Sequence, residues 1–200
     1  MKMFKHLFPA LLLLAGMGLA HTAQASLIPK LGGTVVYDSV RNITWLANAN
    51  AANGLMNWQA AKDWAAGLNI GGFTGWRLPT ADPACGFNFN CINSELGHLY
   101  YTEGGLSQGS NITSSAVLSN LFTNMQNSLY WSGTEYAPNP SNAWYFFTGS
   151  GGQYNVGKGG SLYAWAVRSG DVAAVPEPGV MGLLGIGALA WAGTKARRRG

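Results

Sequence analysis

The hydrophobic pattern along this chain changes period twice, from two to 3.6 and back to two. Thr34 to Tyr37 and Ile43 to Leu46 are short β-branched and aromatic runs separated by Asp38-Ser39-Val40-Arg41-Asn42, which predicts a hairpin. Trp58, Ala61, Ala65 and Leu68 then recur at spacings that place them on one helical face. Asn57 is the expected cap, and Gly67 with the Gly71-Gly72 pair marks the end. Ser94 to Tyr101 reads as a second short helix capped by Ser94, with Leu96, Leu99 and Tyr100 facing inward. Glu103 to Ser115 is polar loop, and Ala116 to Met125 a third helical turn or two. In the last third, Leu129 to Gly133, Ala143 to Thr148, Gln153 to Val156 and Leu162 to Arg168 are strand-like runs with turn residues between them. That spacing predicts an antiparallel meander. The fold class is α+β, a single domain with an N-terminal hairpin, two or three short helices and a C-terminal antiparallel sheet.

Both ends fall outside this pattern. Lys2 and Lys5, the apolar run Leu7 to Ala20 and Ala23-Gln24-Ala25 follow the plan of a secretory signal, so residues 1–25 are expected to be removed before Ser26, after export by the Sec machinery. At the other end Pro176-Glu177-Pro178 precedes an apolar stretch, Val180 to Gly193, and the basic cluster Lys195, Arg197, Arg198 and Arg199. Fourteen helical residues reach about 21 Å against a hydrocarbon core of about 30 Å, which suits transient membrane insertion better than a permanent anchor. The basic cluster is expected to stay cytoplasmic, leaving the domain outside.

Charge is informative once the ends are set aside. Ser26 to Val175 carries six basic and seven acidic side chains, although the whole chain has a formal net charge of +4. A near-neutral domain has no basic face for phosphates, so nucleic acid is excluded as a partner. The domain is instead rich in aromatics and Asn.

Certain blocks carry a resemblance. The tripartite tail, residues 172–200, resembles the PEP-CTERM sorting signal, with Pro176, Glu177, Pro178, Arg197, Arg198 and Arg199 as its elements. That resemblance implies recognition by the membrane enzyme exosortase in a Gram-negative bacterium that makes extracellular polysaccharide. Residues 26–171 resemble the Lcl C-terminal domain family. The matching blocks are Asp38 with Ile43-Thr44-Trp45-Leu46, Trp58 through Ala61, Gly75-Trp76-Arg77-Leu78-Pro79-Thr80 with Glu95-Leu96, Tyr130-Trp131-Ser132-Gly133-Thr134-Glu135, Ala143-Trp144-Tyr145 and Ala166-Val167-Arg168. The resemblance implies a C-type-lectin-like fold and a role in surface attachment or glycan contact. A cysteine-bearing insertion between Thr80 and Glu95 departs from the family's usual spacing.

Candidate chemistry is sparse. Cys85 and Cys91 enclose five residues in an exported chain, so a local disulfide is expected, worth about 2 kcal/mol by loop-closure entropy. A competing metal reading joins the cysteines to His98 and to Glu95 or Glu103, with Glu95 and His98 on one helix face, but the spacing matches no common structural zinc pattern. No cofactor is expected. Arg77 and Arg168 read as structural anchors, each pairing or snorkelling to fix a turn. If one face of the meander is exposed, Tyr145, Tyr154 and Tyr163 offer flat surfaces to sugar rings, with Asn139, Asn142 and Asn155 as donors and acceptors. Glu135, Asn139 and Asn142 also sit close enough in sequence to ligate calcium. Trp131 and Trp144 both read as core.

The expected function is that of a non-enzymatic exported surface or extracellular-matrix protein whose lectin-like domain binds a glycan, an extracellular polysaccharide or a neighbouring surface protein. A second reading is a purely structural matrix component without a ligand site. An enzyme of formylglycine-generating type is an outsider, since its accompanying motifs are missing.

Overall fold

The computed structural model describes residues 26–172; the expected signal peptide and the sorting tail, with its membrane-inserting stretch, lie outside them. Strands β1 (Leu27–Lys30), β2 (Val35–Asp38), β3 (Ile43–Leu46) and β7 (Val167–Ser169) form one antiparallel sheet in the order β1-β2-β3-β7. Strands β4 (Leu129–Glu135), β5 (Asn142–Phe147) and β6 (Gly152–Gly157) form a second, with β5 in the middle. The predicted hairpin is β2–β3, flanked by β1, which the pattern did not announce, and by β7, the end of the predicted strand Leu162 to Arg168, which joins this sheet and not the meander.

The helices follow their caps. Helix α1 (Trp58–Ala66) starts where Asn57 Oδ1 accepts from the Ala60 N–H at 2.9 Å, and it buries Trp58, Ala61 and Ala65. Helix α2 (Glu95–Gly97) is capped by Ser94 Oγ, which accepts from Gly97 N–H, and continues as a π-helical turn, His98–Glu103. Helix α3 (Ala116–Leu121) ends earlier than the pattern suggests, because Phe122 is already extended.

Alternation predicts one wet face for each sheet, yet β3 is buried at every position. The reason is that both faces are covered. Val36, Ile43 and Trp45 join one core cluster with Leu96, Leu99, Tyr100, Leu118, Tyr130 and Phe146. Val35 and Leu46 join another with the α1 face, Trp76, Leu78, Trp131 and Ala143. The second sheet is shared in the same way, so Tyr145 is packed against the Trp131 cluster and half-buried rather than standing free.

The expected fourth strand of the meander does not form as one piece. Leu162 bridges Met56, Tyr163 runs parallel to Tyr130 on the outer edge of β4, and Val167 crosses to pair with Trp45 in the first sheet. Residues 162–168 therefore lace the two sheets together. Among the described residues no helix is long and apolar enough to cross a membrane.

Candidate functional site

Three buried side-chain atoms among the described residues lack a hydrogen-bond partner: Asp38 Oδ2, Trp45 Nε1 and Trp144 Nε1. Buried polar atoms are nearly always paired, so each needs an explanation. Trp45 is enclosed by the core and meets the Trp165 ring edge-on at 5.3 Å. Asp38 Oδ2 lies near His98, and the Trp144 residue lines a cavity.

Trp144 stands on β5, where alternation turns it with Phe146 away from Ala143 and Tyr145. Its ring is 3% exposed because Phe87 and Tyr136 cover it, at centroid distances of 5.3 and 5.2 Å. Phe87 is itself 53% exposed and has come from the cysteine-bearing loop. Together with Pro83, Gly86, Glu135, Ala137 and Pro138 these rings wall a cavity of about 300 Å³. A more open depression of about 320 Å³ is lined by Phe87, Tyr145, Tyr154 and Asn155. Phe87 lines both, and the groove around it takes in the two depressions.

The loop that delivers Phe87 is rigidly held. Cys85 and Cys91 are bonded, with Cα atoms 5.6 Å apart, which removes both thiols from any metal set. Gly86 sits inside the ring at φ +68°, a region that favours glycine. Gln153, 1% exposed, reaches out of β6 to clamp the loop: its amide accepts from Asp82 N–H and donates to the carbonyls of Asp82 and Gly86. The Asn88 carbonyl accepts from the Gln153 N–H at 2.9 Å, so the loop also caps the edge of β6. At its far end Gly97 allows α2 to lie against the loop, since a Cβ there would come within 2.0 Å of the Cys91 carbonyl oxygen.

Arg77 anchors the same region. Its guanidinium grips Glu95 with two hydrogen bonds of 2.8 Å, Glu95 also accepts from the Thr80 N–H, and Arg77 donates to the Leu78 carbonyl. The carboxylate beside it, outweighing burial, raises the Arg77 pKa further above its ordinary value. Arg168 donates to the Thr74 and Asp171 carbonyls and lies over Phe73.

The residues named from sequence separate into two groups. Tyr145 and Tyr154 are directly paired across β5 and β6 with ring centroids 6.0 Å apart, and Asn142 donates to Asn155 at 2.7 Å. Burial pushes the Tyr145 hydroxyl above its ordinary pKa. Glu135 lines the groove and is ion-paired with Lys158. Asn139 lies in the exposed turn, where its Oδ1 accepts from the Ser141 N–H. Tyr163 does not belong with them. It packs on Tyr130 beyond β4, with β4 and β5 between it and Tyr154, because the chain bridges to β4 and not to β6. The carboxylate and amides suggested for calcium are each engaged with these separate partners.

Phe87, Tyr136 and the indole edge of Trp144 were not read as site residues. Two aromatics near turn prolines, Phe87 after Pro83 and Tyr136 before Pro138, are the available signal.

His98 has neighbours other than those expected. Glu95 is turned to Arg77, while His98 Nε2 lies 3.0 Å from Glu103 Oε1 and 3.7 Å from Asp38 Oδ2. Asp38 is fully buried. Its Oδ1 accepts from the Val40 and Arg41 N–H groups, and burial pushes its carboxyl above its ordinary pKa against the pull of those amides and of His98.

Two family models match the chain: the Lcl C-terminal domain over residues 34–168 and the PEP-CTERM protein-sorting motif over residues 174–199. No curated protein matches it. The sorting motif marks an exported, exosortase-processed surface protein. With well over half its length matched, the chain belongs to the Lcl C-terminal domain family.

Proposed function

We propose that this exported surface protein is a non-enzymatic, lectin-like attachment module that contacts neutral glycan through the groove around Phe87. The observation that carries the reading is the Trp144 indole N–H, buried without a partner on a residue that lines an aromatic cavity. A sugar hydroxyl entering the cavity would accept from it, while Phe87 and Tyr136 stack on the ring faces of the sugar. Asn155 beyond Phe87 offers an amide to the next residue of a chain-like ligand. The groove contains one carboxylate, Glu135, already paired with Lys158, and its lining holds no histidine or thiol, which supports recognition rather than catalysis.

On this reading the signal peptide delivers the chain to Sec, the tail inserts transiently into the membrane until exosortase acts, and the domain faces the polysaccharide of a Gram-negative outer envelope or matrix. The test is a glycan array, including the producing cell's polysaccharide, probed with the processed protein. Binding to uncharged glycans with weak salt dependence is expected, lost in Phe87→Ala and Tyr136→Ala. An array without binding favours a structural matrix component, and binding confined to sulfated glycans overturns the proposal.

A further inference from the structure

The remaining orphan, Asp38 Oδ2, points away from the groove to a different site. Asp38 closes β2, His98 opens the π-helical turn after α2, and Glu103 ends it. On an α-helix, residues five apart diverge by about 140° around the axis. Here the turn is wound wider, with the Gly104 N–H bonded to the Leu99 carbonyl at 2.8 Å, and His98 and Glu103 reach one point on the same side. Such π turns inside helices recur at functional sites.

The carboxylates are held in a matching way. Each has one oxygen fixed by the protein and one aimed at the imidazole. Asp38 Oδ1 takes two backbone N–H groups, and its Oδ2 has no partner. Glu103 Oε2 accepts from the Ser26 hydroxyl, and its Oε1 faces His98 Nε2. Asp38, His98 and Glu103 side chains are 1%, 9% and 7% exposed. Among the described residues no Lys or Arg pairs with either carboxylate; the guanidinium of nearby Arg41 is spent on the Ile92 carbonyl. Two buried carboxylates with one imidazole leave negative charge that burial makes costly, so the arrangement calls for a cation.

We propose that Asp38 Oδ2, His98 Nε2 and Glu103 Oε1 form a site for one divalent transition ion of zinc type. The three donor atoms lie within 4.8 Å of one another, and the two pairs sharing the imidazole are 3.0 and 3.7 Å apart. Tetrahedral ligands at zinc distances stand about 3.3 Å apart, so small side-chain rotations complete the set. One nitrogen and two carboxylate oxygens suit zinc or manganese better than calcium, which takes oxygens alone. The amides on Asp38 and the hydroxyl on Glu103 are the outer hydrogen bonds that orient ligating carboxylates. The ion would tie β2 to the π turn, and through Ser26 to the first described residue.

The experiment uses untagged, processed protein from the exporting cell, stripped with chelator and titrated with zinc chloride. One equivalent of zinc per chain and a rise in Tm are expected, and cobalt substituted at the site should give visible absorption. Asp38→Asn keeps the Oδ1 acceptor for Val40 and Arg41 but cannot ligate through its amide nitrogen. It should abolish the zinc-dependent rise while leaving the stripped protein as stable or more so, because the new amide donor can pair with Glu103. His98→Gln and Glu103→Gln should each weaken zinc binding by more than the ~10–100-fold that loss of an outer partner such as Ser26 costs. Near-UV circular dichroism of the tryptophans verifies that each variant is folded. Stripped protein that takes up no zinc, or uptake unchanged in Asp38→Asn and Glu103→Gln, overturns the site. So does a Tm that depends on a free amino group at Ser26 and not on metal, which would make the chain's own terminus the cation.

Discussion

Trp131 and Trp144 stand on adjacent strands, are almost equally buried and read alike in the sequence, yet their surroundings differ. Trp131 is fully buried on the side facing α1, among Leu78, Ala143 and Leu162, and its indole donates to the Met56 carbonyl at 2.9 Å. Trp144 is covered by two rings from loops, one of them half in solvent, and its indole donates to nothing. Burial fraction does not separate these two environments, whereas hydrogen-bond completeness does. A saturated buried group is part of the fold's own structure; an unsaturated one in a cavity wall is prepared for a partner that arrives later.

The largest effect expected on the saturated side is Trp131→Ala, which should cost about 3–5 kcal/mol by removing a large core side chain and its hydrogen bond to the Met56 carbonyl. Equilibrium denaturation measures it. A loss below 1 kcal/mol would erase the contrast from that end. Arg77→Met comes next at roughly 3 kcal/mol, because Glu95 is left buried with the Thr80 amide as its remaining support. Glu95→Gln should cost less, since Arg77 retains solvent access. The reverse order would place the strain on the arginine.

How far these regions were legible depends on whether local pattern or long-range pairing decides them. The caps at Asn57 and Ser94 and the hairpin β2–β3 are local, and the pattern found them. Strand β1 escaped because Leu27-Ile28-Pro29-Lys30 contains a proline, which an edge strand tolerates. Residues 162–168 read as one strand because their apolar run is continuous, although bridges to Met56, Tyr130 and Arg77 divide it among three partners. The site was legible in half. Tyr145, Tyr154 and Asn155 follow from strand alternation, whereas Phe87 reaches the groove through a clamp by Gln153, 66 positions away, that no local signal encodes. Asp38 reads in the sequence as a turn residue and a family-matching position but not as a ligand, and a π turn leaves no periodic trace that distinguishes it from a short helix.

A smaller effect tests whether the loop is scaffold or ligand site. Cys85→Ser should lower stability by about 2 kcal/mol, as expected for a ring this short, through the unfolded state as much as the folded one. The Gln153 clamp and the Asn88 pairing remain, so Phe87 should stay in place and glycan binding should weaken by less than about threefold. Binding lost together with the disulfide would show that the ring, and not the clamp, positions the groove.

The smallest stability change and the sharpest comparison come from replacing each indole by a phenyl ring. Trp131→Phe removes a donor that is in use, so it should lose about 0.5–1.5 kcal/mol for that hydrogen bond in addition to the lost area, the Met56 carbonyl keeping the Leu162 N–H. Trp144→Phe removes a donor that has no partner in the free protein, and what it gives up in area it regains by ending that unsatisfied burial. Stability should therefore change by less than about 1 kcal/mol in either direction, while affinity for a bound glycan falls by up to about tenfold, the worth of one hydrogen bond. The two measurements must diverge for the contrast to hold. If Trp144→Phe destabilises the free protein as much as Trp131→Phe does and leaves binding unchanged, Trp144 is core like its neighbour and the groove has lost the donor that defines it.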